Sequence, residues 1–145
     1  MNINFKKLSN DAQVPTYATE NSAGCDLRAC IEQDIELKPR DICMIPTGLA
    51  CEIPNGYCGF VCSRSGLAYK NGIAVLNSPG IVDSDYRGEL KIILINHSQT
   101  TFTITDGMRI AQMLIVPIQS CNWRQCENLS DTKRSENGFG STGVL

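Results

Sequence analysis

The chain has 145 residues and a mass of 15.9 kDa, which suits one domain and leaves no length for a second core. Hydrophobic residues make up 42% and charged residues 19%, which excludes a disordered charged tail, and no apolar stretch approaches the length of a membrane span. Lysines plus arginines number 13 against 15 carboxylates, and a net charge of -2 argues against duplex DNA or RNA as the main partner, though not against a compact anion held by two or three arginines.

Along the chain, Met1 to Lys7 lacks the apolar run of a secretory signal, so a reducing cytoplasmic setting is expected. Without such a signal, the sequons at Asn96-His97-Ser98 and Asn128-Leu129-Ser130 carry no meaning. Short apolar runs alternate with turn residues from Ile35 onward: Ile35-Leu37, Ile42-Ile45, Leu49-Ile53, Tyr57-Cys62, Leu90-Ile95, Thr100-Ile104 and Ile110-Ile118. Such spacing predicts an all-β sandwich or barrel, with one short helix over Ser65 to Lys70 ahead of Asn71-Gly72. From Glu127 the composition turns polar and glycine-rich, which predicts a β domain over residues 1–126 and a flexible arm over 127–145. The eight cysteines include no Cys-x-x-Cys pair, and the lone His97 supplies no zinc knuckle, so they are expected to pack as small buried hydrophobes.

Five clusters pair glycine with polar or charged residues. Ala23-Gly24-Cys25-Asp26-Leu27 reads as a turn entering a strand. Ser63-Arg64-Ser65-Gly66 sits where a strand gives way to a helix. This is a plausible phosphate site or, equally, a serine N-cap beside a solvated arginine. Asn77-Ser78-Pro79-Gly80-Ile81-Val82-Asp83-Ser84-Asp85-Tyr86-Arg87-Gly88 carries two carboxylates in alternation. If the segment is extended they share a face, one suited to acid–base chemistry and the other to a salt bridge with Arg87. Gly107-Met108-Arg109-Ile110-Ala111-Gln112-Met113 sets polar side chains in an apolar strand, where burial demands partners. The tail, Arg134 with Gly138-Phe139-Gly140-Ser141-Thr142-Gly143, reads as a frayed terminus or as a lid combining an apolar plate, hinges and anion donors.

In this order and spacing, from Ala23 to Gly143, the clusters resemble the five motifs of the trimeric deoxyuridine triphosphate nucleotidohydrolases, or dUTPases. The resemblance implies a distorted jelly-roll or β-barrel that assembles as a homotrimer, with active sites at subunit boundaries closed by the C-terminal arm. It implies hydrolysis of dUTP to dUMP and pyrophosphate, by attack of water on the α-phosphorus with Mg2+ on the triphosphate. That activity keeps uracil out of DNA and feeds thymidylate synthesis. By motif match, Asp83 activates the water and Asp85 is structural. Asn77 and the backbone of Gly80, Ile81, Val82 and Asp83 read uracil, Tyr86 lies under the deoxyribose, and Lys91 adds a backbone contact. Arg64, Ser65, Gly66 and Gln112 hold the phosphates, and Asp26 touches the metal only through water. In the arm, Arg134 grips the γ-phosphate, Phe139 stacks on uracil, Ser141 and Thr142 add donors to the phosphates, and Gly140 joins them in binding substrate.

Departures from the family pattern are few. Cys25 stands where an aromatic or small apolar residue is commoner, and Ser63 where proline or alanine is usual. Ser135 and Asn137 replace glycines of the arm, which bears on its closing rate. His97 reads as a turn residue, and Trp123 as packing for the last strand or a trimer contact. The related dCTP deaminases use a glutamate base and a different hairpin, and a binder without turnover needs no Asp83. No membrane or stable nucleic-acid partner is expected.

Overall fold

The computed structural model describes residues 1–138 and 141. Its strands are β1 (Asn4–Lys7), β2 (Thr16–Tyr17), β3 (Cys25–Arg28), β4 (Ile35–Leu37), β5 (Ile42–Pro46), β6 (Leu49–Glu52), β7 (Tyr57–Cys62), β8 (Ile73–Val75), β9 (Gly80–Val82), β10 (Lys91–Asn96), β11 (Phe102–Ile104) and β12 (Arg109–Pro117). A single helix, α1 (Ser65–Asn71), completes the described elements. Every apolar run read from the sequence became a strand, and the helix formed where expected. The strands not anticipated there, β1, β2, β8 and β9, have two to four residues each, too few for alternation to register.

All pairings are antiparallel. The largest sheet runs β2-β3-β12-β7-β9; a second runs β5-β10-β8; and β1-β6 and β11-β4 form two-stranded ribbons. All of these except the outlying β1 and β2 send side chains into or against one core, so the all-β jelly-roll or barrel expected from the sequence is what forms. Leu27, Leu37, Ile45, Leu49, Ile53, Ile73, Ile92, Leu94, Ile104 and Ile110 are shielded almost completely. Each such burial stabilises the fold by roughly 1.5–3 kcal/mol. Among the described residues no helix is long and apolar enough to cross a membrane.

Asn96 is a polar residue with no exposure at the end of β10. Its Nδ2 donates to the carbonyls of Leu37 and Thr100, both at 2.8 Å, and its Oδ1 accepts from the Ser98 N–H at 2.8 Å and the Ser98 hydroxyl at 2.7 Å. One side chain therefore ties β4, β10 and the turn before β11, with every donor and acceptor used. It occupies a sequon, and its role there is internal.

The cysteines divide by position. Cys25, Cys51 and Cys58 are buried, and Cys30, Cys43 and Cys62 are half-buried. Cys121 and Cys126 are exposed, which corrects the expectation that all eight pack inside. Burial pushes the Cys25 and Cys51 thiols above their ordinary range, so they are poor nucleophiles. The departure at Cys25 has a structural use: its thiol donates to the Met113 carbonyl at 3.3 Å.

Asn96→Ala is expected to lower the unfolding free energy by about 2–4 kcal/mol, because it strips partners from buried backbone groups. The exposed Asn128→Ala should change it by no more than about 0.5 kcal/mol. Urea denaturation of both variants checks this, and equal losses would contradict it.

Candidate active site

The outward face of the large sheet is set by the pairing of β12. Gln112 stands opposite Asp26 of β3 on one side and Cys62 of β7 on the other. Directly paired residues share a face, so these three side chains form a row pointing away from the core. Alternation would put Arg109, three residues before Gln112, on the inner face. The ladder, however, slips between Arg109 and Ala111, a β-bulge that leaves Ile110 and Ala111 buried in succession. The bulge returns Arg109 to the outward face beside Gln112.

A hollow of about 280 Å³ opens over this row, lined by Ser22, Gly24, Asp26, Arg64, Ser65, Gly66, Arg109 and Gln112 among others. The Asp26 side chain is only 12% exposed, and both its oxygens are engaged: Oδ1 with Arg64 Nε at 3.0 Å and Oδ2 with Arg109 Nη1 at 3.0 Å. Arg64 is held a second time, donating from Nη1 to the Arg109 carbonyl at 3.0 Å. Gln112 donates from Nε2 to the Ser63 carbonyl at 3.0 Å. Gly24 is required by close approach, since a β-carbon there would stand 2.9 Å from Gln112 Oε1. Ser63, the departure from proline or alanine, accepts from the Val75 N–H at 2.8 Å and so ties the end of β7 to β8.

The N-cap of α1 is Arg64 in extended conformation, not the serine considered above, and no side chain caps the first turn. Free N–H groups at Ser65 and Gly66 therefore border the hollow, and a β-carbon on Gly66 would meet nothing within 4 Å. Two guanidinium groups, one carboxylate and uncapped amides suit a multiply charged anion.

A second hollow, of about 260 Å³, lies along β9 and β10 and shares no residue with the first. Ile81, Val82, Asp83, Tyr86, Glu89, Lys91, Ile93 and Met44 are among its walls. Gly80 packs against Asn77, where an added β-carbon would lie 3.2 Å from Nδ2. Beyond β9 the chain turns, with the Tyr86 N–H donating to the Asp83 carbonyl at 3.2 Å. Asp83 and Asp85 thus do not alternate along an extended strand. Neither carboxylate bridges to Arg87 among the described residues. Arg87 pairs instead with Glu52 at 3.2 Å, and donates to the carbonyls of Ser84 at 2.7 Å and Tyr86 at 3.0 Å. The Asn4 amide and the Arg87 guanidinium hold Glu52 below its ordinary carboxylate range. Tyr86 donates its hydroxyl to the Glu89 carbonyl at 3.0 Å, and its ring covers Gly88 so closely that a β-carbon there would overlap it. Lys91 pairs with Glu89 at 3.5 Å.

After Pro117 the described chain has no strand or helix, and residues 118–137 are exposed. Trp123 is 95% exposed, so it does not pack on β12. Arg134 and Ser141 lie outside both hollows; Arg134 donates from Nε to the Asn137 carbonyl at 2.9 Å. Ser135 takes a φ of 45°, a left-handed region that glycine enters freely and a side chain at a cost of roughly 1–2 kcal/mol. Phe139, Gly140 and Thr142 lie outside the described residues.

Among the described residues no three acidic, histidine or cysteine side chains gather to hold a metal. The cradle's lone carboxylate is already shared by two arginines. This donor set fits an ion carried on the oxygens of a bound polyphosphate rather than one caged by the chain.

The structure brings Asp26, Arg64, Ser65, Gly66 and Gln112 together in one hollow and Ile81, Val82, Asp83, Tyr86 and Lys91 in another. Sequence reasoning placed Arg109 in the fourth cluster as a polar residue in an apolar strand but gave it no site role; the signal for its outward aim was two consecutive apolar residues, Ile110-Ala111, breaking the alternation ahead of Gln112.

The sequence profile of the dUTPase family matches residues 10–143. The deoxyuridine 5'-triphosphate nucleotidohydrolase of Rickettsia bellii (strain OSU 85-389) is 50% identical over 143 residues, 98% of this chain and 95% of its own. That of Ehrlichia canis (strain Jake) is 51% identical over 142 residues, 97% of this chain and 93% of its own. Among solved structures, the Staphylococcus bacteriophage 80alpha dUTPase with dUPNHPP matches with a TM-score of 0.90 at 30% identity over 99% of both chains. A mutant dUTPase from phage phi11 of S. aureus, described for its coordination of a structural Mg(II) ion, matches at 0.82 with 25% identity over 90% of this chain and 100% of its own. With a match from residue 10 to residue 143 and relatives at half identity over nearly its whole length, this chain belongs to the dUTPase family.

Proposed function

We propose that the chain hydrolyses dUTP to dUMP and pyrophosphate by attack of water on the α-phosphorus, so limiting uracil in DNA and supplying dUMP for thymidylate synthesis. One observation carries this reading: the chain presents an arginine-lined anion cradle and, apart from it, a second hollow edged by an exposed carboxylate, Asp83, that enters no salt bridge among the described residues.

β9 is the edge strand of its sheet, so one side of the Gly80–Val82 backbone has no strand partner. Free donors and acceptors there can pair with the edge of uracil and leave the groups of cytosine unmatched, a strong basis for rejection. Asn77 buttresses that turn from behind Gly80. The Tyr86 ring, fixed by its hydroxyl bond and by Gly88, offers a flat wall that crowds a ribose 2′-hydroxyl. Lys91 stands at the mouth of the same hollow. Asp83 accepts the proton of the attacking water, a contribution of about 10²- to 10⁴-fold. Arg64, Gln112 and the amides of Ser65 and Gly66 hold the phosphates. Magnesium on the triphosphate would neutralise charge as the α–β bond breaks; Asp26, with both oxygens committed, would reach its shell only through water. Arg134 and residues 138–142, with Phe139 as the plate over uracil, form the proposed arm that closes the site and excludes bulk water.

We take the site to be shared between copies in a homotrimer, as the family resemblance implies. The outer face of β5-β10-β8 supports this. Ile42 and Met44 are more than half exposed and stand opposite Ile95 and Ile93, with Ala74 beside Ile95. Such an apolar sheet face needs a partner, and Met44 and Ile93 belong to the nucleoside hollow as well.

Asp83→Asn should retain affinity for a non-hydrolysable dUTP analogue while kcat falls about 10²-fold or more; undiminished turnover removes Asp83 from this role. Trimers re-formed from a mixture of Asp83→Asn and Arg64→Ala chains, each inactive alone, should regain part of the activity. No recovery would mean that each chain builds its site alone.

A further inference from the structure

We infer that Asp26 is the positioning residue of the phosphate cradle and that Arg109 is its second phosphate-binding guanidinium. This rests on the dUTP reading and gives Arg109, which the motif match leaves without a role, and Asp26, which it gives only a water-mediated metal contact, a working part in the cradle. The residues come from three separate segments: Asp26 from the middle of β3, Arg64 from the N-cap of α1, and Arg109 from the bulged start of β12. Each guanidinium takes one oxygen of the same carboxylate at 3.0 Å. Without that carboxylate, two like charges would face each other across the hollow and swing apart into solvent, since the Arg64 and Arg109 side chains are 25% and 43% exposed.

With the carboxylate in place, Arg64 has two of its three nitrogens committed to protein oxygens, Nε to Asp26 and Nη1 to the Arg109 carbonyl. Its Nη2 is left for the anion. Arg109 commits Nη1 to Asp26 and keeps the rest of its fork for the anion. The arrangement sets orientation before the ligand arrives, which lowers the cost of ordering two long side chains on binding. The bulge serves the same end, because a regular β12 would direct Arg109 into the core face and leave Asp26 with one partner.

This role differs from metal ligation in what it predicts without metal. The full-length chain is titrated calorimetrically with α,β-imido-dUTP and with dUMP, in EDTA and in magnesium, as wild type, Asp26→Asn and Arg109→Lys. Asp26→Asn should bind the imido triphosphate about 10- to 100-fold more weakly in EDTA, the scale of a lost charge-assisted hydrogen bond. dUMP affinity should stay within about twofold, because dUMP lacks the β- and γ-phosphates. In turnover, KM should rise more than kcat falls, since Asp83 is untouched. Arg109→Lys, which keeps the charge and loses the fork, should weaken the triphosphate in the same direction.

Unchanged or tighter triphosphate binding by Asp26→Asn in EDTA overturns the inference, as does a defect seen only with magnesium or one equally large for dUMP. If Asp26→Asn does not fold, judged by circular dichroism, the Arg109→Lys comparison decides by the same criteria. Failure of the wild type to bind the analogue overturns the dUTP reading and this inference with it, whereas wild-type binding with unaltered variants overturns the inference alone.

Discussion

β12 pairs with β3 along one edge and β7 along the other, and the site depends on the register of those two ladders. A one-residue slip would send Gln112 and its row-mates into the core and bring Ala111 and Met113 out. Burial prevents that, because Ala111 and Met113 are packed inside with Cys25, Leu27 and Val61. The hydrophobic effect thereby fixes where Asp26 and Gln112 point, and one bulge corrects the aim of Arg109. The same ladder delivers the end of β7 to Ser63, from which Arg64 and the uncapped turn of α1 follow. Core packing, register and an anion cradle are three consequences of one strand.

Much of this was legible in the sequence. Regularly punctuated apolar runs carried the fold class, because half-buried antiparallel strands need alternation and tight turns to close them. The five clusters carried the family; residues of the first, second and fourth meet in one hollow, and the third forms much of the other. Other features were hidden for physical reasons. Arg109 reads as inward-facing under strict alternation, and only pairing with β3 reveals the bulge. Asp83-Ser84-Asp85 reads as a strand with two carboxylates on one face, yet the Tyr86 N–H bond to Asp83 turns the chain there. Arg87 was offered an aspartate two residues away and takes Glu52 from β6, a contact between distant segments. Ser63 and Cys25, departures by motif, each make a hydrogen bond that the commoner residue lacks.

The charge balance also gains meaning. A chain with net charge -2 has no long-range pull on a polyanion, so phosphate recognition must be local. In the proposed reading Asp26 makes it so, by holding two of the chain's arginines at one point. The remaining requirement is a partner surface. The apolar outer face of β5-β10-β8 and the exposed segment after Pro117, which includes Trp123, are what a small chain would offer if neighbours complete its site.

The central claim, that this chain converts dUTP selectively, is tested most directly by pyrophosphate release from dUTP, dTTP, dCTP and UTP with and without magnesium. The account predicts rapid release from dUTP that depends on magnesium, with kcat/KM for each of the other three lower by orders of magnitude. Comparable release from UTP or dCTP, or none from dUTP, would contradict it.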